Sequence, residues 1–135
     1  MLIKINEHTG LMYLYFSAGV QNIQMPTGNE EVSKFVAKSN KEQIVGYEIE
    51  NFEKNMNLVL SKLGLSAKQK LAVVLCYIRE KSKKTQKEFS QMFNISEGTY
   101  KTLEKAEHNI SFDTLSLIFC HLPQNKNFID KIFTE

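Results

Sequence analysis

The segment that most constrains the fold of this 135-residue chain is residues 85–104, TQKEFSQMFNISEGTYKTLE. Thr85 and Ser96 each precede a helical pattern, where a hydroxyl can accept a free backbone N–H of the first turn. Asn94 lies between the two patterns, where a left-handed residue is expected and asparagine is the best choice after glycine. The inward positions are apolar or aromatic: Phe89, Phe93, Ile95, Tyr100 and Leu103. The segment therefore predicts two short helices joined by a tight turn.

More helices are predicted on both sides of this segment. Residues 52–63 have apolar side chains at helical spacing, and Gly64 is well placed to follow the helix end. Ser66 can cap a further helix that continues to about residue 82. After the central segment, residues 111–122 predict a helix that Pro123 ends, and a last helix is expected over residues 126–133.

The first fifty residues have the patterns of strands instead. Residues 2–5 and 11–16 predict one hairpin, and residues 35–38 and 44–49 predict a second, with its turn at residues 39–42. In the last strand, Val45, Tyr47 and Ile49 alternate with Gly46 and Glu48, which predicts one buried and one exposed face. The predicted fold class is therefore α+β, with an antiparallel β-sheet before the helices.

The domain boundaries are predicted where the spacing of apolar residues changes from that of strands to that of helices. We expect a small β-rich domain over residues 1–52, a helical linker over 53–65 and a helical domain over 66–135. Residues 1–52 resemble a family of small bacterial β-rich domains of unknown function, and that resemblance implies a shape and no activity.

The charge distribution favours an anionic partner for the helical half. Residues 1–64 carry six lysines and seven acidic residues, whereas residues 65–135 carry eleven basic and eight acidic residues. The excess of positive charge thus lies in the half that contains residues 85–104, as a phosphate-contacting surface requires. Lys81, Lys83, Lys84 and Lys87 cluster beside the segment and could contact phosphates or form a solvated helix end.

Other functions have little support in the sequence. No glycine-rich phosphate loop, nucleophile elbow or HExxH motif is present, so neither an enzyme nor a cofactor is predicted. Cys76 and Cys120 lie in apolar helical patterns without zinc-ligand spacing and are expected to be buried free thiols. His121 is expected to be a packing residue. Tyr13, Tyr15 and Phe16 could stack on bases, but a strand core or a dimer surface is the simpler interpretation. Without an apolar leader or a span of sufficient length, a soluble cytoplasmic protein is expected.

The central segment is similar to a known family. The pattern Thr-Gln-x-x-Phe-Ser-x-x-Phe-Asn-Ile-Ser-x-x-Thr-Tyr-x-x-Leu-Glu resembles the helix-turn-helix of the lambda-repressor/Cro superfamily, also called Xre-type regulators. Ile78-Arg79 and residues 109–115 extend the resemblance over about 71–122, and the whole family domain would span about 66–133. The resemblance implies a five-helix lambda-repressor-like domain whose second motif helix enters the major groove of double-stranded DNA.

The resemblance also implies roles for individual residues. Gln86 would hold a DNA phosphate, and Thr85 and Asn109 would offer similar backbone contacts. Arg79 and Glu104 would form a buried ion pair. The positions that would face the DNA from the second motif helix and its end are Glu97, Gly98, Lys101, Thr102 and Lys105.

Two departures from the family pattern affect these roles. The outward positions of the second motif helix contain no Arg, Gln or Asn, which are the usual readers of guanine and adenine. Ala106 replaces the family's usual glycine.

Three functions are compatible with the sequence. The first is a transcriptional regulator, a repressor, that binds an inverted-repeat operator as a homodimer through residues 1–52, 52–63 or 126–133. The second is an antitoxin whose N-terminal domain binds a toxin protein while its helix-turn-helix represses its own operon. The third is a scaffold whose helical domain has lost DNA binding, an idea to which Glu97 and Gly98 give some support.

Overall fold

The structure is a computed structural model that describes residues 1–107 and 109–122. The chain forms two compact units, Met1–Met56 and a second that begins at Asn57. A five-stranded antiparallel sheet comes first and is followed by five helices within the described residues, so the predicted α+β class is confirmed. The predicted helix over 126–133 and its preceding Pro123 lie outside the described residues.

The sheet has the strand order β1-β2-β5-β4-β3, and every neighbouring pair is antiparallel. Its strands are β1 (Leu2–Asn6), β2 (Leu11–Tyr15), β3 (Asn22–Pro26), β4 (Val32–Ala37) and β5 (Asn40–Ile49). Both predicted hairpins, β1–β2 and β4–β5, are present.

Two details of the sheet differ from the prediction. The β4–β5 turn consists of Lys38 and Ser39 alone, so β5 begins at Asn40 and a bulge at Phe35–Ala37 absorbs the change of register. The edge strand β3 was not predicted, because its Asn22 and Pro26 are poor strand formers and only Ile23 and Met25 carry an apolar pattern.

Gly46 fixes the centre of the sheet. A Cβ atom at this position would lie 2.3 Å from the Leu14 carbonyl oxygen, so only glycine fits without displacing the backbone. Tyr15 and Phe35 pair with Gly46 from either side, and their rings stack at 5.8 Å between centroids. Of the residues predicted to be buried on β5, Val45, Tyr47 and Ile49 are all in the core.

The five described helices are α1 (Phe52–Lys62), α2 (Ala67–Lys81), α3 (Gln86–Met92), α4 (Glu97–Glu104) and α5 (Phe112–Cys120). Gly64 has φ +68° after α1, and Ser66 accepts the backbone N–H of Gln69 at the start of α2, as the sequence predicts. Helix α4 packs against both α2 and α3. Aromatic rings fill the space beneath α3 and α4, since Phe89 lies 5.4 Å from Phe93 and 5.9 Å from Tyr100 between centroids.

Candidate nucleic-acid interface

Local hydrogen bonds and a left-handed turn residue define where α3 ends and where both motif helices begin. Thr85 Oγ1 accepts the Glu88 backbone N–H at 3.1 Å, and Glu88 Oε1 accepts the Thr85 backbone N–H at 3.1 Å, which completes a capping box. Asn94 adopts φ +57°, so the predicted left-handed residue of the turn is confirmed. Ser96 then caps α4 by accepting the Thr99 backbone N–H at 3.0 Å.

The packing beneath the motif explains why the two helices approach closely. Ser90 is 2% exposed, and its small hydroxyl donates back to the Lys87 carbonyl oxygen at 2.7 Å. Phe93 and Tyr100 are fully buried. The buried face of α4 consists of Tyr100, Leu103 and Glu104, so its remaining residues face away from the core.

The outward face of α4 is polar, and two of its charges neutralise each other. Lys101 Nζ lies 3.4 Å from Glu97 Oε1, one helical turn away, and both side chains are nearly half exposed. Thr102 donates its hydroxyl to the Thr99 carbonyl oxygen at 2.7 Å. An added Cβ at Gly98 would meet nothing within 4 Å.

Thr99 is a surface residue of α4 that the sequence interpretation did not include among the DNA-facing positions. It is exposed, and its hydroxyl accepts a hydrogen bond from Ser96 Oγ at 2.8 Å. Its place at the rim of the polar face follows from the 100° per residue of a helix, so the periodicity was sufficient to identify it.

The residues that the sequence offers for contact with the DNA backbone lie at or near the ends of the helices. Lys105 and Asn109 are exposed, as are the four lysines of the basic cluster. Thr85 is exposed too, but its backbone N–H is already occupied by Glu88. Gln86 is half-buried at the first position of α3, and its Nε2 donates to Glu104 Oε1 at 3.3 Å.

Arg79 and Glu104 form the ion pair that the resemblance implied. Arg79 Nε donates to Glu104 Oε2 at 2.7 Å, and Arg79 Nη2 donates to Glu104 Oε1 at 2.9 Å. The side chains are only 14% and 6% exposed. The Glu104 carboxylate raises the pKa of Arg79 above its ordinary value. A third contact, from Arg79 Nη1 to the Lys84 carbonyl oxygen at 3.1 Å, ties the guanidinium to the loop before α3.

Two buried groups lie beside this pair. Burial and, secondarily, the nearby Glu104 carboxylate raise the pKa of the Cys76 thiol to about 12, so the thiol is protonated and unreactive. Burial and the same carboxylate raise the pKa of Tyr100. Among the described residues, the Tyr100 hydroxyl is buried without a hydrogen bond of good geometry.

Other candidate sites received no support from the described residues. His121 is exposed; its Nδ1 lies 2.7 Å from the Leu117 carbonyl oxygen, and its ring lies edge-on at 6.2 Å from Phe93. Cys120 is exposed, so the burial expected for it is wrong, whereas Cys76 is buried. Across residues 1–107 and 109–122, no three His, Cys, Asp or Glu side chains come together as metal ligands. No helix in these same ranges has the length and apolar character needed to cross a membrane.

Comparison with known proteins identifies the helical segment. Residues 77–123 match a family described as helix-turn-helix, of the Xre/lambda-repressor type, so the resemblance inferred from the sequence is confirmed. This family is a DNA-binding family and not an enzymatic one. No match is found among curated proteins or among solved structures.

Proposed function

We propose that the chain, with a lambda-repressor-type helix-turn-helix at residues 77–123, is a transcriptional repressor that binds double-stranded DNA through α4. The family match supports a DNA-binding transcription regulator in general. The observation that carries the proposal is the polar outward face of α4, held by the Arg79–Glu104 pair and the aromatic core beneath it. A helix presented in this way fits the major groove.

Phosphate contacts would supply most of the affinity. Gln86, Lys87 and Asn109 are the side chains at the helix ends that we assign to phosphates, and Lys105 extends the set beyond the end of α4. We assign Thr85 to holding the start of α3, since its backbone N–H is engaged within the capping box and is not available to a phosphate. These contacts fix the orientation of the protein on the duplex and carry no sequence information.

Base contacts would come from the α4 face. Lys101 can donate to guanine O6 and N7, and Glu97 can accept from cytosine N4, so both favour G·C pairs. Thr99 and the Thr102 methyl group can contact thymine methyls. Gly98 permits close approach of a base edge, because no side chain stands between the helix and the groove.

We further propose that the protein binds an inverted repeat as a homodimer. A single motif of this size contacts few base pairs, and symmetric half-sites about 34 Å apart are the usual arrangement for such domains. Phe112 supports an interface near α5, since this aromatic side chain is 82% exposed at the first position of the helix. Such a regulator would act in the cytoplasm.

The antitoxin function remains a second candidate because the sheet is a separate unit. Within the described residues, β1 and β3 are edge strands with a neighbour on one side only. An edge strand can accept a strand from a partner, which is a common mode of peptide recognition. Co-expression of the full chain with the product of an adjacent reading frame would test this alternative, and rescue of growth from a toxic product would favour it.

Equilibrium selection from a random duplex library tests the repressor proposal. We expect the wild-type protein to enrich an inverted repeat with a G·C pair in each half-site. Lys101→Ala should relax the preference at that pair, because a good base contact contributes about 1–3 kcal/mol of discrimination. Lys41→Ala, a lysine of the sheet unit, is the matched control and should select the wild-type motif. Enrichment of no sequence by the folded wild-type protein would contradict the proposal.

A further inference from the structure

Gln86 is connected to the buried ion pair, and no feature of the sequence pattern indicated this contact. Its Nε2 donates to Glu104 Oε1, the same oxygen that accepts from Arg79 Nη2. Glu104 therefore joins the end of α2, the start of α3 and the end of α4 through one carboxylate. The three side chains form a continuous hydrogen-bonded chain from the core to the half-buried start of α3.

The chemistry of the amide makes this contact directional. A carboxylate accepts hydrogen bonds only, so it must face the NH2 group of Gln86 and not its carbonyl oxygen. The NH2 group has two N–H donors, and Glu104 uses one of them. Across residues 1–107 and 109–122 the second donor has no hydrogen-bond partner, so it remains for an external acceptor, and the bond to Glu104 restrains rotation of the amide.

The charge of Glu104 does not oppose an anionic ligand here. Its carboxylate is 6% exposed and is neutralised by two hydrogen bonds from Arg79. The Arg79 guanidinium is itself anchored by the Lys84 carbonyl oxygen, so the acceptor presented to Gln86 is fixed in place. A fixed acceptor lowers the entropy that Gln86 would lose when it binds a phosphate oxygen.

We infer that Glu104 is a positioning residue for DNA binding: held by Arg79, it orients the Gln86 amide so that the second N–H can donate to a DNA phosphate. This inference rests on the proposed function, and it adds a binding role to a residue pair expected only to stabilise the fold. The contact joins residues that lie 18 positions apart in the sequence.

A double-mutant cycle on DNA affinity separates positioning from simple stabilisation. We expect Gln86→Met to weaken binding about tenfold and to leave the slope of log affinity against log salt unchanged, because a neutral amide that donates to a phosphate releases no counterion. Glu104→Gln should weaken binding severalfold in the wild-type background and less than twofold in the Gln86→Met background. Affinities are measured at a temperature where circular dichroism shows every variant folded.

Lys87→Met is the matched control, because Lys87 is exposed on the same helix. The loss of DNA affinity in the double variant Lys87→Met/Glu104→Gln should equal the sum of the losses in the two single variants, expressed as free energies. If Glu104→Gln proves unstable, Glu104→Asp, which keeps the charge for Arg79 and withdraws it from Gln86, replaces it in the cycle.

An NMR measurement distinguishes failure of this inference from failure of the proposed function. The side-chain amide resonances of Gln86 in the free protein should shift in Glu104→Gln and not in Lys87→Met. Fully additive losses in a protein that binds DNA, or unshifted Gln86 resonances, would overturn the positioning role alone. Absence of DNA binding in the wild-type protein, with the resonances shifted as expected, would overturn the proposed function instead.

Discussion

Several residues other than glycine adopt the left-handed backbone conformation. Asn94 and Ala106 have φ +57° and +56°, and both follow a motif helix at the point where the chain must turn. Asparagine tolerates this region, whereas alanine has no polar group to compensate for the contact of its Cβ with the backbone. Ala106 is therefore a strained residue of the helix-turn-helix domain, and Lys83 before α3 has a similar φ of +54°.

Replacement of Ala106 by glycine should stabilise the protein. Ala106→Gly removes the left-handed Cβ and is expected to raise the free energy of unfolding by about 1 kcal/mol, measured by urea denaturation. Ala72→Gly, in the middle of α2, is the matched control and should lower that free energy by about 1 kcal/mol or more. Equal destabilisation by both substitutions would refute the strain at Ala106.

The Arg79–Glu104 pair shows how burial changes the contribution of a charge. Glu104→Ala leaves a guanidinium that is 14% exposed without its partner, and it should cost about 3–5 kcal/mol of stability. Lys101→Ala removes a solvent-exposed pair and should cost less than about 1 kcal/mol. If chemical denaturation shows that Glu104→Ala has the stability of the wild type, the buried pair does not stabilise the fold.

At the scale of elements, the motif helices were predictable because their signals are local. The caps Thr85 and Ser96, the turn residue Asn94 and the apolar spacing all lie within twenty residues of sequence, and each has its expected role in the structure. The sheet was less predictable, since β3 gains its strand conformation from pairing with β4 and not from its own composition.

The capping box of α3 gives this element a dependence on pH. The backbone N–H of Thr85 holds the pKa of the Glu88 carboxyl below its ordinary value. Because the folded pKa is depressed, the stabilisation is complete above the ordinary glutamate pKa and is lost as the pH falls through the folded value. Glu88→Gln keeps the capping geometry without titrating, so the difference in stability between wild type and variant should change across this acid range.

Thermal melting at several pH values between neutrality and the onset of acid unfolding measures this difference. Parallel curves for wild type and Glu88→Gln would show that the carboxylate contributes nothing through its charge.

At the scale of the whole molecule, the sequence led to the α+β order, the two hairpins and the DNA-binding motif. It did not lead to the strand order, because the β2–β5 contact joins strands separated by β3 and β4. Nor did it lead to the Gln86–Glu104 contact, since that hydrogen bond exists only once α2, α3 and α4 have packed. The resemblance to the family implied a phosphate contact for Gln86, and we propose that Glu104, brought beside it by packing, orients its amide.

We propose above that the molecule binds duplex DNA through α4 and its flanking phosphate contacts. Footprinting on the promoter of its own gene at two salt concentrations tests whether it does so. We predict a symmetric protected region at low salt, weakened at high salt as counterions compete for the phosphates, and lost with Gln86→Met and Lys101→Ala combined. No protection at low salt by the folded wild-type protein would contradict the account.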